Sequence, residues 1–238
     1  MKIAVIYGFM RKGSTYQCTQ LLLEDLARQT ETEVTEFFLP RDMPHFCTGC
    51  FGCIHKNEDK CPHYDMVHPI SKAMDEADVV VLASPTYVYN MSGPLKALMD
   101  HFGYMWMPHR PRPSMFHKVG VVISTTAGGG AGVTCKAMKR NLVMWGAKRV
   151  YQFGMAVQAA GWQDVKPKMR EQIAARMEKL SHRVLKAHRR IDRLWPTPVS
   201  FFWVSLVRAM VKADWWNPPD KVHWNEQGWA AGKSPWRS

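Results

Sequence analysis

Cys47, Cys50, Cys53 and Cys61 fall within fifteen residues in the spacing C-x2-C-x2-C-x7-C. Three thiolates this close can wrap one face of a cuboidal iron–sulfur cluster, and a fourth returns from slightly further along the chain. Spacing constrains ligand number but not metal identity, and His45, His55 and His63 flank the loop. A tetrahedral zinc site, a redox-active dithiol and a plain reduced loop are therefore the competing chemistries. The other two cysteines, Cys18 and Cys135, are isolated. Clustered cysteines without a signal-peptide pattern argue for a reducing, cytoplasmic setting and against a disulfide scaffold.

Three further segments carry groups suited to a ligand. Gly8-Phe9-Met10-Arg11-Lys12-Gly13-Ser14-Thr15 joins an apolar run to a helical pattern. Helix amides, hydroxyls and an arginine together make a phosphate site; an ordinary hydroxyl-capped helix is the plainer reading. The segment is neither G-x-x-x-x-G-K-[ST] nor G-x-G-x-x-G, which argues against a nucleoside triphosphate or a Rossmann dinucleotide. Ala83 to Pro94 combines Pro85, Thr86, Tyr87, Tyr89 and Asn90 on a proline-stiffened loop. Such a loop suits a flat heteroaromatic ring needing one apolar face and several hydrogen bonds. Ser124 to Gly132 holds four glycines, where the backbone can approach a ligand closely.

The elements that position these loops follow from hydrophobic period. Lys2–Tyr7, Glu33–Leu39, Asp78–Ser84, Lys118–Thr125 and Arg149–Gly154 read as strands. Helical spacing appears at Ser14–Gln29, Val67–Ala77, Gly93–Met105, Gly132–Trp145 and Asp164–Arg190. Val79–Leu82 and Val119–Ile123 are continuously apolar, as strands covered on both faces are. Alternating units of this length predict a doubly wound parallel sheet with right-handed crossovers. Ligands of such sheets sit beyond the carboxyl ends of the strands, where all three segments fall.

The length of 238 residues suits one domain, here residues 1–194, with an appendage at 195–238. Trp195-Pro196-Thr197-Pro198 breaks the long helix, and six of the ten tryptophans lie from Trp203 onward. That tail is expected to pack on the domain or on a partner subunit, because exposed indoles invite aggregation. The formal net charge of +12 concentrates between Lys136 and Arg193. A solvated helix face accounts for much of it, with attraction for phosphorylated cofactors or acidic protein partners as the functional alternative. No nucleic-acid recognition module accompanies the charge, so no nucleic acid is expected. The longest apolar stretch, Val199 to Val211, is interrupted by Arg208 and is too short to span a bilayer.

Gly8-x-x-Arg11-Lys12-x-Ser14 resembles the G-S-P-R-K-x-S phosphate loop of the flavodoxin-like NAD(P)H-dependent FMN reductases. Ser84-Pro85-Thr86-Tyr87, Asn90 to Lys96 and Asp100 resemble their S-P-x-Y-x-x-x-M-[ST]-x-x-[LM]-K…D flavin loop. The resemblance covers roughly the first two-thirds of the chain, the extent of one α/β domain. It implies a flavodoxin-like three-layer α/β sandwich on a five-stranded parallel sheet of order 2-1-3-4-5, with bound FMN and NAD(P)H as co-substrate. Arg11, Ser14 and Thr15 would hold the phosphate by that resemblance. Pro85, Thr86, Tyr87, Asn90 and Met91 would line the isoalloxazine, with Thr126 and Gly128 on its other edge. The chain departs from the pattern at Phe9 and Met10, where Ser-Pro is usual, and so lacks one hydroxyl.

The cysteine loop is similar to that of the iron–sulfur flavoproteins. The likeness implies a [4Fe–4S] cluster on Cys47, Cys50, Cys53 and Cys61 that exchanges single electrons with FMN. The resulting expectation is an oxidoreductase passing electrons from NAD(P)H to a small-molecule or protein acceptor, assembled as a homodimer or tetramer. A non-catalytic flavodoxin-like carrier, a quinone or nitroaromatic reductase without a cluster, and a cysteine-based redox sensor are the rival readings.

Overall fold

The computed structural model describes residues 1–213 and 217–237. Five parallel strands form its centre: β1 (Lys2–Tyr7), β2 (Glu33–Phe38), β3 (Val79–Ala83), β4 (Val119–Thr126) and β5 (Arg149–Ala156). Their order across the sheet is β2-β1-β3-β4-β5, the flavodoxin-like arrangement that the family resemblance implies. β3 is buried at every residue and lies in the middle, with Val81 paired to Val5 on one side and Val121 on the other. β2 is the edge beside β1 and carries Glu33 and Glu36, charges that discourage edge-to-edge pairing.

Helices α1 (Ser14–Gln29), α2 (Gly52–His55), α3 (Tyr64–Glu76), α4 (Gly93–His101), α5 (Ala131–Met144) and α6 (Pro167–His188) complete the sandwich. Leu22 and Leu26 of α1 pack with Ile173, Met177 and Val184 of α6 against one face of the sheet. Ile70, Met74, Leu98, Met138 and Leu142, from α3, α4 and α5, cover the other. Side-chain alternation along β1 serves both layers, with Ala4 and Ile6 in one and Ile3, Val5 and Tyr7 in the other. Several expected boundaries shift: the helix expected from Val67 starts at Tyr64, and the strand expected to end at Gly154 runs to Ala156. The helix expected over Gly93–Met105 ends at His101 and continues only as a 3₁₀ turn at Gly103–Met105. The helix expected from Asp164 starts at Pro167, a residue suited to the first helical position because it lacks an N–H.

Beyond residue 194 lie α7 (Pro198–Lys212) and α8 (Pro218–Glu226). Val204, Val207 and Val211 of α7 join Trp224, Trp229 and Trp236 in a third core over Met107, Phe116 and Met144. Phe116 precedes β4, so this core closes the amino ends of the strands, away from the ligand-binding ends. The Trp224 indole donates to the His109 carbonyl at 2.8 Å, and the Lys148 ammonium donates to the Trp236 carbonyl at 3.3 Å. Three of the tail tryptophans therefore pack on their own chain, whereas Trp195 is exposed and Trp203 is half-buried. Trp215 and Trp216 lie outside the described residues. No helix among the described residues is long and apolar enough to cross a membrane.

Candidate functional site

The turns after β1, β3 and β4 meet in a single cleft of about 290 Å³. At one end stands α1, capped by Gly13 without a side-chain hydrogen bond and with no acidic residue in its first turn. Its leading amides are available, and the helix field favours an anion there. Arg11 reaches across the opening and donates to the Ala160 carbonyl at 2.7 Å. Hydroxyls floor the cleft: Thr15 and Thr125 pair at 2.7 Å, and Thr86 and Ser124 at 2.9 Å. Pro85 and Tyr87 form the wall at the β3 side, and Thr126 and Ala127 the wall at the β4 side.

Close packing holds the cleft open. Gly8 donates its amide to the Ala83 carbonyl, and its own carbonyl accepts from the Ser92 hydroxyl at 2.5 Å. A Cβ at Gly8 would stand 2.4 Å from the Ser92 hydroxyl and 2.7 Å from Leu95 Cβ, so the start of α4 can approach only a glycine. The Ser84 hydroxyl accepts the Ser92 amide at 2.9 Å, fixing the other end of the β3 loop.

Arg11, Ser14, Thr15, Pro85, Thr86, Tyr87 and Thr126 all line the cleft, as expected of one shared pocket. Three residues assigned to the ring by resemblance stand elsewhere. Met91 is buried in the core between α4 and the sheet, so its side chain is not on the cleft wall. Asn90 closes a turn instead: its carboxamide oxygen accepts the Met91 amide, and its backbone exchanges two hydrogen bonds with Tyr87. The turn residues Val88 and Tyr89 have φ of 49° and 59°, the left-handed pair of a tight hairpin turn. Gly128 is at the exposed tip of its loop; Gly130 is the glycine under constraint, at φ 94° with Tyr89 packed where a Cβ would go. Sequence reasoning missed Phe9, Thr125, Val157, Ala159 and Ala160 of the lining. The carboxyl-end rule applied to β5 would have found the last three.

The four clustered cysteines line one narrow cavity together with His63 and His101. Residues 44–51 reach it without helix or strand. Gly52 lets the chain fold back: a Cβ there would meet the Lys60 carbonyl oxygen at 2.8 Å, and that contact brings Cys61 alongside Cys53. The Gly52 amide and the Thr48 hydroxyl hold the Cys50 thiol below its ordinary range, favouring thiolate. Burial pushes the Cys53 thiol up, and the charges of Cys61, Cys47 and Cys50 push it the same way. His101 Nδ1 faces the Ala97 carbonyl at 2.7 Å, an acceptor only, so it carries the proton. His101 Nε2 then accepts from His63 Nδ1 at 2.9 Å. Ligand atoms of Cys61, His63 and His101 lie within 4.8 Å of one another. His101, forty residues from the cysteines, gave no sequence signal.

The loop is braced from behind. Arg110 donates to the carbonyls of Cys53 and Ile54 and pairs with the fully buried carboxylate of Asp220. Asn217, just ahead of α8, also donates to the Ile54 carbonyl, at 2.8 Å. Arg112 pairs with Glu58 at 2.6 Å and with Asp75, tying the returning segment to α3.

The model of the NADPH-dependent FMN reductase family matches residues 1–162. The chain belongs to that family. It is accordingly a flavoprotein oxidoreductase, and the matched span contains both the cleft and the cysteine loop. It is 31% identical over 160 residues to an iron-sulfur flavoprotein of Archaeoglobus fulgidus, covering 66% of this chain and 70% of that one. An iron-sulfur flavoprotein of Methanocaldococcus jannaschii is 37% identical over 139 residues, 56% of this chain and 67% of the relative. Among solved structures, the NAD(P)H:quinone oxidoreductase from Methanothermobacter marburgensis aligns with a TM-score of 0.59 at 15% identity, over 81% of this chain and 97% of the other. An FMN-dependent NADH-azoreductase from Bacillus anthracis in complex with FMN aligns with a TM-score of 0.56 at 12% identity, over 76% and 100%. These structural likenesses establish the fold.

The donors at the cleft and at the cysteine cavity each suit a bound group. The cleft offers a phosphate cradle at one end and an aromatic wall at the other, which fits FMN. The four thiols converge on one cavity, which fits a four-thiolate centre. At about 20 Å³ the cavity as it stands has room for a single ion. A larger centre requires the exposed 44–51 segment to move outward, and no strand ladder or helix holds it back.

Proposed function

We propose that this family member passes electrons from NAD(P)H through FMN to a small-molecule or protein acceptor, with a [4Fe–4S] cluster on Cys47, Cys50, Cys53 and Cys61. The shared cleft at the carboxyl ends of β1, β3 and β4 is the observation that carries the reading. FMN, when bound, supplies hydride acceptance and release of electrons singly or in pairs. The chain's task is to bind, orient and shield. Arg11, Ser14, Thr15 and the α1 amides would take the phosphate. Thr86 and the loop amides would hydrogen-bond the ring, and the exposed Tyr87 would cover one of its faces. Asn90, Met91, Thr126 and Gly128 contribute differently: Thr126 as wall, the others by setting loop shape. No side chain need act as nucleophile.

A cluster would supply a one-electron store. α4 spans about 13 Å at 1.5 Å per residue, from Gly93 at the flavin loop to His101 at the cysteine cavity. That short separation supports exchange between the two sites. The names of the Archaeoglobus and Methanocaldococcus relatives support the same assignment. Free thiols fit a reducing, cytoplasmic setting. Residues 195–238 act as an extension of the 1–194 flavin domain, and assembly as a homodimer or tetramer would cover the exposed rim at Tyr87, Val88 and Tyr89.

A single-metal site is the second reading, favoured by the convergence of Cys61, His63 and His101. Anaerobic purification followed by absorption spectroscopy, iron and sulfide analysis, and steady-state NADH and NADPH oxidation tests both. Flavin bands with four irons and four sulfides per chain, and turnover with a quinone or flavin acceptor, are expected. Zinc without sulfide favours the second reading. A protein that binds no flavin overturns the proposal, and flavin without turnover leaves an electron carrier.

A further inference from the structure

α7 carries two apolar stripes, and among the described residues only one of them is buried. Val204, Val207 and Val211 are buried in the third core. Val199, Phe202, Leu206 and Met210, spaced three, four and four residues apart, form a second stripe facing outward. Val199, Phe202 and Leu206 are 54%, 60% and 38% exposed. Phe201 and Trp195, 59% and 75% exposed, stand to one side of the stripe at the start of the helix. An exposed apolar patch rimmed by polar residues marks an interaction surface, so the outer stripe calls for a cover.

Charge identifies what covers it. Arg193 and Arg237 share a cleft with Asp192, Trp195 and Phe201 beside the first turn of α7, and the Arg237 guanidinium stands over the Trp195 ring. Lys212 lies in the last turn of α7, toward the other end of the stripe. Asp192 is the one acidic residue between Arg189 and Lys212 in sequence, and it faces His117 at 3.1 Å. Aromatic side chains flanked by cations suit a layer that is apolar below and anionic at its surface. A second copy of the chain suits the stripe less. A two-fold contact across this surface would set Arg193, Arg237 and Lys212 of one copy against those of the other. The stripe runs about 17 Å along a helix about 10 Å across. It therefore covers at most a few hundred Å² per copy, against roughly 800 Å² per partner in a stable dimer.

We propose that the outer face of α7, with Trp195 and Phe201, docks the protein on an anionic lipid bilayer, lying at the interface without crossing it. The surface belongs to the extension and is independent of what the cleft or the cysteine loop holds. Docking there keeps the lipid contact at the amino ends of the sheet and leaves the cleft free to open elsewhere.

Vesicle sedimentation of the full-length flavin-loaded protein tests this. Vesicles of phosphatidylcholine with phosphatidylglycerol should retain it, and pure phosphatidylcholine at least about tenfold less well, with high salt weakening the difference. The pair Phe202→Glu and Leu206→Glu should weaken binding to the anionic vesicles at least about tenfold while melting temperature and flavin content hold. Trp195→Ala should weaken it in the same direction, and serves as the second variant if the pair melts lower. Wild-type protein left in the supernatant with both vesicles overturns the proposal, as does equal binding to both. A wild-type oligomer that the paired variant converts to monomer also overturns it, and assigns the stripe to a second copy.

Discussion

Arg11 is the cation among the cleft's lining residues, and its guanidinium donates to the Ala160 carbonyl. A charge-assisted hydrogen bond contributes roughly 1.5–3 kcal/mol, so Arg11→Ala should weaken FMN binding about ten- to a hundredfold. Fluorescence titration of the flavin-free protein measures this, and an unchanged affinity would show that the helix amides hold the phosphate alone. Gly8→Ala acts through packing. Its methyl group meets the Ser92 hydroxyl and Leu95 Cβ well inside contact distance, so the start of α4 must shift. Overpacking of this kind costs about 1–3 kcal/mol, which a denaturant midpoint would register as a loss of stability. At this scale the sequence was legible where a residue's type fits one task. Arg11, Ser14 and Thr15 could be placed from the turn they occupy, whereas Met91 and Asn90 could not. Whether a methionine faces a ring or a core depends on how α4 docks, and Asn90 was recruited to its own turn.

At the level of elements, the five strands lie close to where the apolar runs put them, because β3 and the first part of β4 are apolar on both faces, as strands covered on both sides are. The cysteine loop was legible as a ligand set but not as a braced object. Its support comes from Arg110, Asn217 and Asp220, whose meeting depends on a chain reversal of more than a hundred residues. Asp220→Asn removes a buried carboxylate from Arg110, and breaking such a pair costs about 3–5 kcal/mol. The melting temperature should fall, and the carbonyls of Cys53 and Ile54 should lose their fixed donor. Thiol titration with a chromogenic disulfide should then show Cys53 reacting faster in the variant. Equal thiol rates in a stably folded variant would separate the extension from the loop. Gly52→Ala probes the same loop from inside. The contact with the Lys60 carbonyl should misplace Cys61 and lower metal content, read by elemental analysis, without changing flavin binding.

Across the whole molecule, the extension makes the amino ends of the sheet into a core and ties that core to acidity through one histidine. His223 of α8 donates from Nε2 to the Pro111 carbonyl at 3.0 Å and lies edge-on to Trp229 at 5.4 Å. Burial holds it below its ordinary range, with nearby Arg110 adding to the shift while the Pro111 hydrogen bond, Asp220 and Glu226 oppose it. The folded state thus favours the neutral ring, and the unfolded chain takes up the proton first as pH falls. Stability is therefore greatest above the unfolded value of about 6.5. It declines as pH drops below that, until the folded state also protonates. His223→Gln keeps a donor for Pro111 but cannot titrate, so its melting temperature should fall less between pH 7 and pH 5 than that of the parent protein. The core it guards contains Trp224, Trp229 and Trp236, so the change should also appear in tryptophan emission as a shift to longer wavelength in the parent. Parallel pH profiles for the two proteins would assign the acid response to other groups. A flatter profile in His223→Gln would mark α8 as the element that loosens first, and its Asp220 contact would carry that loosening to the cysteine loop.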